Sequence, residues 1–115
     1  MDRKKQLKEQ YKQMKPQMGV FVIRSQSSRQ CCIEAARDLK GVMNGTLAKL
    51  KGGGHLRNRR LQQAWSDKGA EDFVFEILET LEYHSDDPQY DYSDDLALLK
   101  MMWEERFREE GWEFY

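Results

Sequence analysis

The chain has 115 residues, enough for one domain with one modest core. It is 39% hydrophobic and 34% charged, a composition of small globular proteins with very polar surfaces. No apolar run nears the ~20 residues of a membrane span, no hydrophobic signal region stands at the N-terminus, and the adjacent Cys31 and Cys32 make no disulfide framework. A reducing cytoplasm is the simplest expected location.

The net charge of −1 hides an asymmetry. Residues 1–70 hold 16 Lys and Arg against 5 Asp and Glu; residues 71–115 hold 3 against 15. A basic first part and an acidic last part point to two possibilities: a basic face for phosphate, or halves that complement each other within one fold or between two copies.

In chain order, Leu7, Tyr11 and Met14 fall at helical spacing among basic and polar residues, and Pro16 stops the pattern. This predicts a short amphipathic helix over 3–14, within an N-terminal arm of residues 1–17. Gly19-Val20-Phe21-Val22-Ile23-Arg24 predicts a strand that is apolar on both faces and therefore covered on both. Ser25-Gln26-Ser27-Ser28 is a turn, and a second strand is expected over 29–34. On that strand Cys31 and Cys32 point to opposite faces, one toward the core and one away.

Asp38 can cap a helix over 38–50, with Leu39, Val42, Met43, Thr46, Leu47 and Leu50 at helical spacing. Gly41 and Gly45 lie one turn apart on it, which suggests close packing against a neighbour, or less readily the approach of a ligand backbone. Lys51-Gly52-Gly53-Gly54-His55 is a loop without the Lys-Ser/Thr ending of a phosphate-binding P-loop. Asn58 can cap a second helix over 59–67, ended by Gly69.

A third strand is expected over 73–79, with Phe73, Phe75 and Ile77 on one face and Val74, Glu76 and Leu78 on the other. Residues 82–92 read as an acidic, Tyr-rich loop. Ser93 can cap a last helix over 94–109, whose stripe is Leu96, Leu99, Met102, Trp103 and Phe107. Residues 111–115 are an aromatic tail. His55 and His84 fall in polar loops and read as surface histidines. The expected single core joins Phe21, Ile23, Leu39, Leu61, Trp65, Phe75, Ile77, Leu99 and Trp103.

The order Gly19-Val20-Phe21, Cys32-Ile33-Glu34, then a helix, resembles the paired motifs that open the GIY-YIG nuclease domain. Asn58 to Trp65, Gly69, Asp72-Phe73 and Ile77-Leu78-Glu79 are similar to that family's middle portion, and Leu96, Lys100 and Trp103 to its C-terminal helix. The likeness implies an α+β fold over residues 18–110, a three-stranded sheet flanked by helices. It also implies where catalysis would sit. Phe21 and Cys32 stand at the two motif tyrosines, Glu34 at the second motif's glycine, Val42 at an arginine, Thr46 at a histidine and Lys100 at a metal-binding glutamate. Lysine has the wrong sign for a divalent cation. The expected site is therefore degenerate, with no metal and no cofactor; a replacement site using Glu34 and Asp38 has no third ligand in view.

The remaining functional candidate is the basic set Arg37, Lys40, Lys49, Lys51, Arg57, Arg59 and Arg60, suited to phosphates of DNA or RNA. A protein partner or self-association on the same fold is the alternative, and an active nuclease with a rearranged metal site a second alternative.

Overall fold

The structure, a computed structural model, describes residues 15–84, 87 and 89–115. The helix expected over 3–14 lies outside the described residues. Strands β1 (Met18–Ser25) and β2 (Gln30–Ala36) form the hairpin, followed by helices α1 (Leu39–Lys51) and α2 (Arg59–Lys68), a single 3-10 turn, strand β3 (Phe73–Leu81), helix α3 (Ser93–Glu109) and strand β4 (Glu113–Phe114). The sheet order is β3-β1-β2-β4. β1 runs antiparallel to β2 and to β3, and β2 runs parallel to β4.

The fold class expected from the sequence holds: this is α+β, with helices on both faces of a sheet. The sheet has four strands rather than three. The aromatic tail contributes the fourth, pairing Glu113 with Gln30 and Phe114 with Cys31.

The helices start where local chemistry caps them. The Asp38 carboxylate accepts from the Gly41 N–H at 3.0 Å, and the Asn58 side chain accepts from the Leu61 N–H at 3.1 Å. Ser93 does not cap α3. The Asp91 carboxylate instead accepts from both the Ser93 N–H and its hydroxyl, at 2.9 and 2.6 Å. Gly69 ends α2 with φ +88°, a backbone angle side-chain-bearing residues avoid.

One core was expected, and the sheet divides it into two main clusters with a small third at one end. On one face Phe21, Ile23, Cys32, Leu39, Leu61, Trp65 and Phe73 pack under α1 and α2. Phe75 is half-buried beside them, its ring stacked on Phe21 at 6.3 Å between centroids. On the other face Val20, Val22, Cys31 and Ile33 pack under α3 through Leu99 and Phe107, with Trp103 at the margin. Met18, Tyr92 and Leu96 close the end where α3 begins.

Both cysteines are buried, one in each main cluster, because β1 and β2 are covered on both sides. Ile77 stays exposed: β3 is an edge strand, and Ile77 belongs to neither cluster. A β-bulge opposite Val20 and Phe21 leaves Leu78 without a partner in the register, so Glu79 faces Val20 and turns toward α3. There Trp103 Nε1 donates to Glu79 Oε1 at 2.8 Å. Gly19 sits at this crowded place; a Cβ on it would run into the Glu79 carbonyl.

Candidate functional site

The site grows from β2. In register, Phe21 stands opposite Glu34 and Ile23 opposite Cys32, on the α1 side of the sheet. Phe21 is fully buried and Cys32 nearly so. The Cys32 thiol donates to Glu34 Oε1 at 3.5 Å and accepts from Asn58 Nδ2 at 3.6 Å. Burial, with Glu34 beside it, pushes that thiol up to about 12, so it carries its proton at neutral pH.

Beyond β2, α1 presents Gly41, Val42, Gly45, Thr46 and Lys49, positions that recur on one helical face. The third wall is the loop Gly54–Arg57. Together with Glu34, Ala35 and Asp38 these enclose an open groove of about 540 Å³.

The two glycines of α1 do not serve close packing, contrary to the preferred expectation. Nothing lies within 4 Å of where a Cβ on Gly45 would be. At Gly41 the nearest atom is the Asp38 capping carboxylate, 2.5 Å from an added Cβ. Both glycines lower the groove floor, and the helix backbone lies bare along it.

His55 is a second correction. It is buried, not a surface residue, and it clasps the loop. Its N–H donates to Gln62 Oε1 at 2.9 Å and its Nδ1 accepts from the Asn58 N–H at 3.3 Å. Gln62 Nε2 donates in turn to the Leu50 carbonyl at 3.1 Å. His84 is half-exposed, edge-on to Tyr90 and Tyr92, with Nε2 3.5 Å from Asp95.

Of the positions matched to catalytic roles, Glu34, Val42 and Thr46 line the groove, while Phe21 and Cys32 lie buried beneath it. Lys100 is half-buried on α3. It is not part of the groove wall but lies close enough to Cys32 to act on its thiol electrostatically. Asp38 Oδ1 caps α1 and Glu34 Oε1 accepts from the Cys32 thiol, and among the described residues no three His, Cys, Asp or Glu side chains converge.

All seven residues of the basic set are exposed, and none makes an ion pair among the described residues. Lys49 and Arg57 line the groove. Arg37 faces the acidic region instead, where its charge reaches Asp91 and Tyr83. Lys40, Lys51, Arg59 and Arg60 lie outside the groove. Leu56, which composition alone did not single out, is a groove residue exposed to 71%.

No protein-family model matches the sequence, and no curated protein matches it. Solved structures do. The catalytic domain of the homing endonuclease I-TevI superposes with a TM-score of 0.64 and 19% identity, over 79% of this chain and 88% of that one. A mutant of the catalytic domain of the intron endonuclease I-TevI gives 0.64 and 18%, over 80% and 84%. The fold is that of the GIY-YIG nuclease I-TevI. At such identity the likeness to I-TevI concerns the fold alone. It bears out the GIY-YIG-like α+β fold that the sequence resemblance implied.

Proposed function

We propose that this domain keeps a nuclease fold without nuclease chemistry and binds nucleic acid weakly through its phosphates. The observation that carries the first half is the buried, protonated Cys32 thiol, in the same core cluster as the hydroxyl-free Phe21. Phosphodiester cleavage needs an activated nucleophile and stabilisation of the developing charge. Phe21 has no hydroxyl, Cys32 holds its proton, Val42 is apolar, and Lys100 stands where a metal-binding carboxylate would be needed. With magnesium or manganese, purified protein leaves duplex, branched and single-stranded DNA uncut. Cleavage abolished by Glu34→Ala would reveal a replacement site and overturn this half.

The second half rests on the exposed cations Lys40, Lys49, Lys51, Arg57, Arg59 and Arg60, none of which makes an ion pair among the described residues, with Arg37, the seventh of the set, turned toward the acidic region. Nothing among them forms a base-reading helix, so their contacts are to phosphates, which position a protein without reading sequence. Affinity falls by roughly 0.9 log units per log unit of salt for each phosphate neutralised. Titrating labelled duplex DNA and RNA at low salt against wild type and an Arg57/Arg59/Arg60→Ala variant tests it. Equal binding by both, or by neither, overturns the assignment.

A second reading, a protein-interaction module, is favoured by one feature. Leu98, Met101 and Met102 form an exposed apolar row on α3 beside charges of both signs, Glu104, Glu105, Arg106, Arg108 and Glu109. No described helix is long and apolar enough to cross a membrane.

A further inference from the structure

We infer that Leu56 is a wedge that enters a base step of duplex DNA while the surrounding cations hold the phosphates. This rests on the nucleic-acid reading and adds to it the form of polymer and the way it is deformed. Leu56, exposed to 71%, is the most exposed of the large hydrophobic side chains among the described residues. Burying such a side chain typically gains about 1.5–3 kcal/mol, and the fold does not take that gain.

The loop holds it outward by its construction. His55, immediately before Leu56, is buried and bonded to Gln62 and Asn58. The Leu56 N–H donates to the Gly54 carbonyl at 2.9 Å, closing a tight turn. Arg57 follows directly, and the Asn58 cap fixes the start of α2.

The neighbours define the partner's chemistry. Lys49 and Arg57 line the groove with Leu56, opposite Glu34 and Asp38, and the exposed Lys51, Arg59 and Arg60 lie within five residues of it along the chain. A partner must offer several anionic groups and, between them, an apolar slot about one side chain wide. Duplex DNA offers both, because leucine and similar side chains part stacked bases from the minor groove while cations hold the flanking phosphates. An anionic membrane is disfavoured. One leucine inserts too little apolar area for a stable anchor, and the groove beside it is concave, shaped for a chain rather than a plane.

The test uses end-labelled duplexes with a central flexible TA step or a mismatch, compared with a stiff A-tract, at low salt. Energy transfer between the ends reports bending. Wild type should bend the flexible duplex and prefer it over the A-tract by roughly threefold to tenfold, because pyrimidine–purine steps and mismatches unstack readily. Leu56→Ala should bind with an unchanged salt slope, leave the duplex straight and lose that preference. Leu56→Met should retain it. Because the side chain is exposed, neither variant endangers folding.

Binding by wild type without bending, or bending by Leu56→Ala equal to wild type, overturns the wedge and leaves phosphate binding standing. No binding by wild type removes both. Leu56-dependent attachment to phosphatidylserine–phosphatidylcholine vesicles, with the duplex left straight, assigns the leucine to a membrane surface and overturns the proposal.

Discussion

The Ser25 hydroxyl donates to Asp72 Oδ2 at 2.5 Å, across 47 residues of chain. The same carboxylate accepts from the Ser27 N–H at 2.9 Å and the Ser27 hydroxyl at 3.0 Å. Lys68 donates to the Ser28 hydroxyl at 3.0 Å. The hairpin turn is thereby tied to the segment joining α2 and β3.

These hydrogen bonds favour the charged carboxylate and hold Asp72 below the ordinary carboxylate range, the Ser25 bond foremost. The unfolded chain then takes up the proton first as pH falls. The contribution of Asp72 is complete above the unfolded value, about 4, and is lost as pH drops through the folded one. Urea midpoints at pH 5, 4 and 3 should decline, and Asp72→Asn should decline less steeply. Parallel declines would show that Asp72 has no part in it.

Both cysteines should resist alkylation in the folded protein. Burial pushes Cys31 up to about 11 and Cys32 to about 12, so neither offers thiolate at neutral pH. Iodoacetamide followed by mass spectrometry should label them only in denaturant. Rapid labelling of native protein at pH 7.5 would contradict the burial described.

Gly45→Ala should stabilise the protein by about 0.5–1 kcal/mol, since the new methyl meets nothing and alanine is the better helix former. Gly41→Ala should gain little, because its methyl crowds the Asp38 carboxylate and disturbs a cap worth roughly 1 kcal/mol. Thermal melts of the two variants should therefore separate, Gly45→Ala the higher. The reverse order would mean that Gly45 packs against something.

Trp65 joins α2 to the sheet, stacked on Phe73 at 5.2 Å and edge-on to Phe75 at 6.5 Å. Trp65→Ala should remove about 3–5 kcal/mol, a large share of the 5–15 kcal/mol typical of small domains. Denaturant titration should show a much lower midpoint. A shift under about 1 kcal/mol would place Trp65 outside the core, given the usual scale for surface changes.

Much of this was legible in the sequence because it was written locally. Asp38 and Asn58 cap helices whose apolar spacing follows at once, and the alternation in Val20–Ile23 disclosed a strand covered on both faces. What was not legible depends on distant partners. The bulge at Leu78 reverses which face Glu79 takes, and only the pairing with β1 reveals it. Two residues of the tail become a strand because the β2 edge is there to receive them. His55 looked solvated beside three glycines until Gln62 and Asn58 came round to it. The glycines of α1 looked like packing residues until the space above Gly45 proved open. Glu34, Val42 and Thr46 line one groove while Phe21 and Cys32 lie beneath it and Lys100 outside it, an arrangement that only the packing of β2 against α1 makes visible. The cations are readable in the sequence as a set but not as an arrangement.

The position of β1 has a consequence for how the chain folds. Its hairpin partner β2 is adjacent, but its other neighbour pairs Ser25 with Phe73 and Met18 with Leu81, roughly fifty to sixty residues further on. Until that stretch is available the central strand has one naked side, carrying Val20, Phe21, Val22 and Ile23. Closing so long a loop is the slow event, and α1 and α2 both lie inside it. Folding should therefore wait on β3, and a chain halted before residue 73 would expose an apolar strand edge ready to pair with another copy.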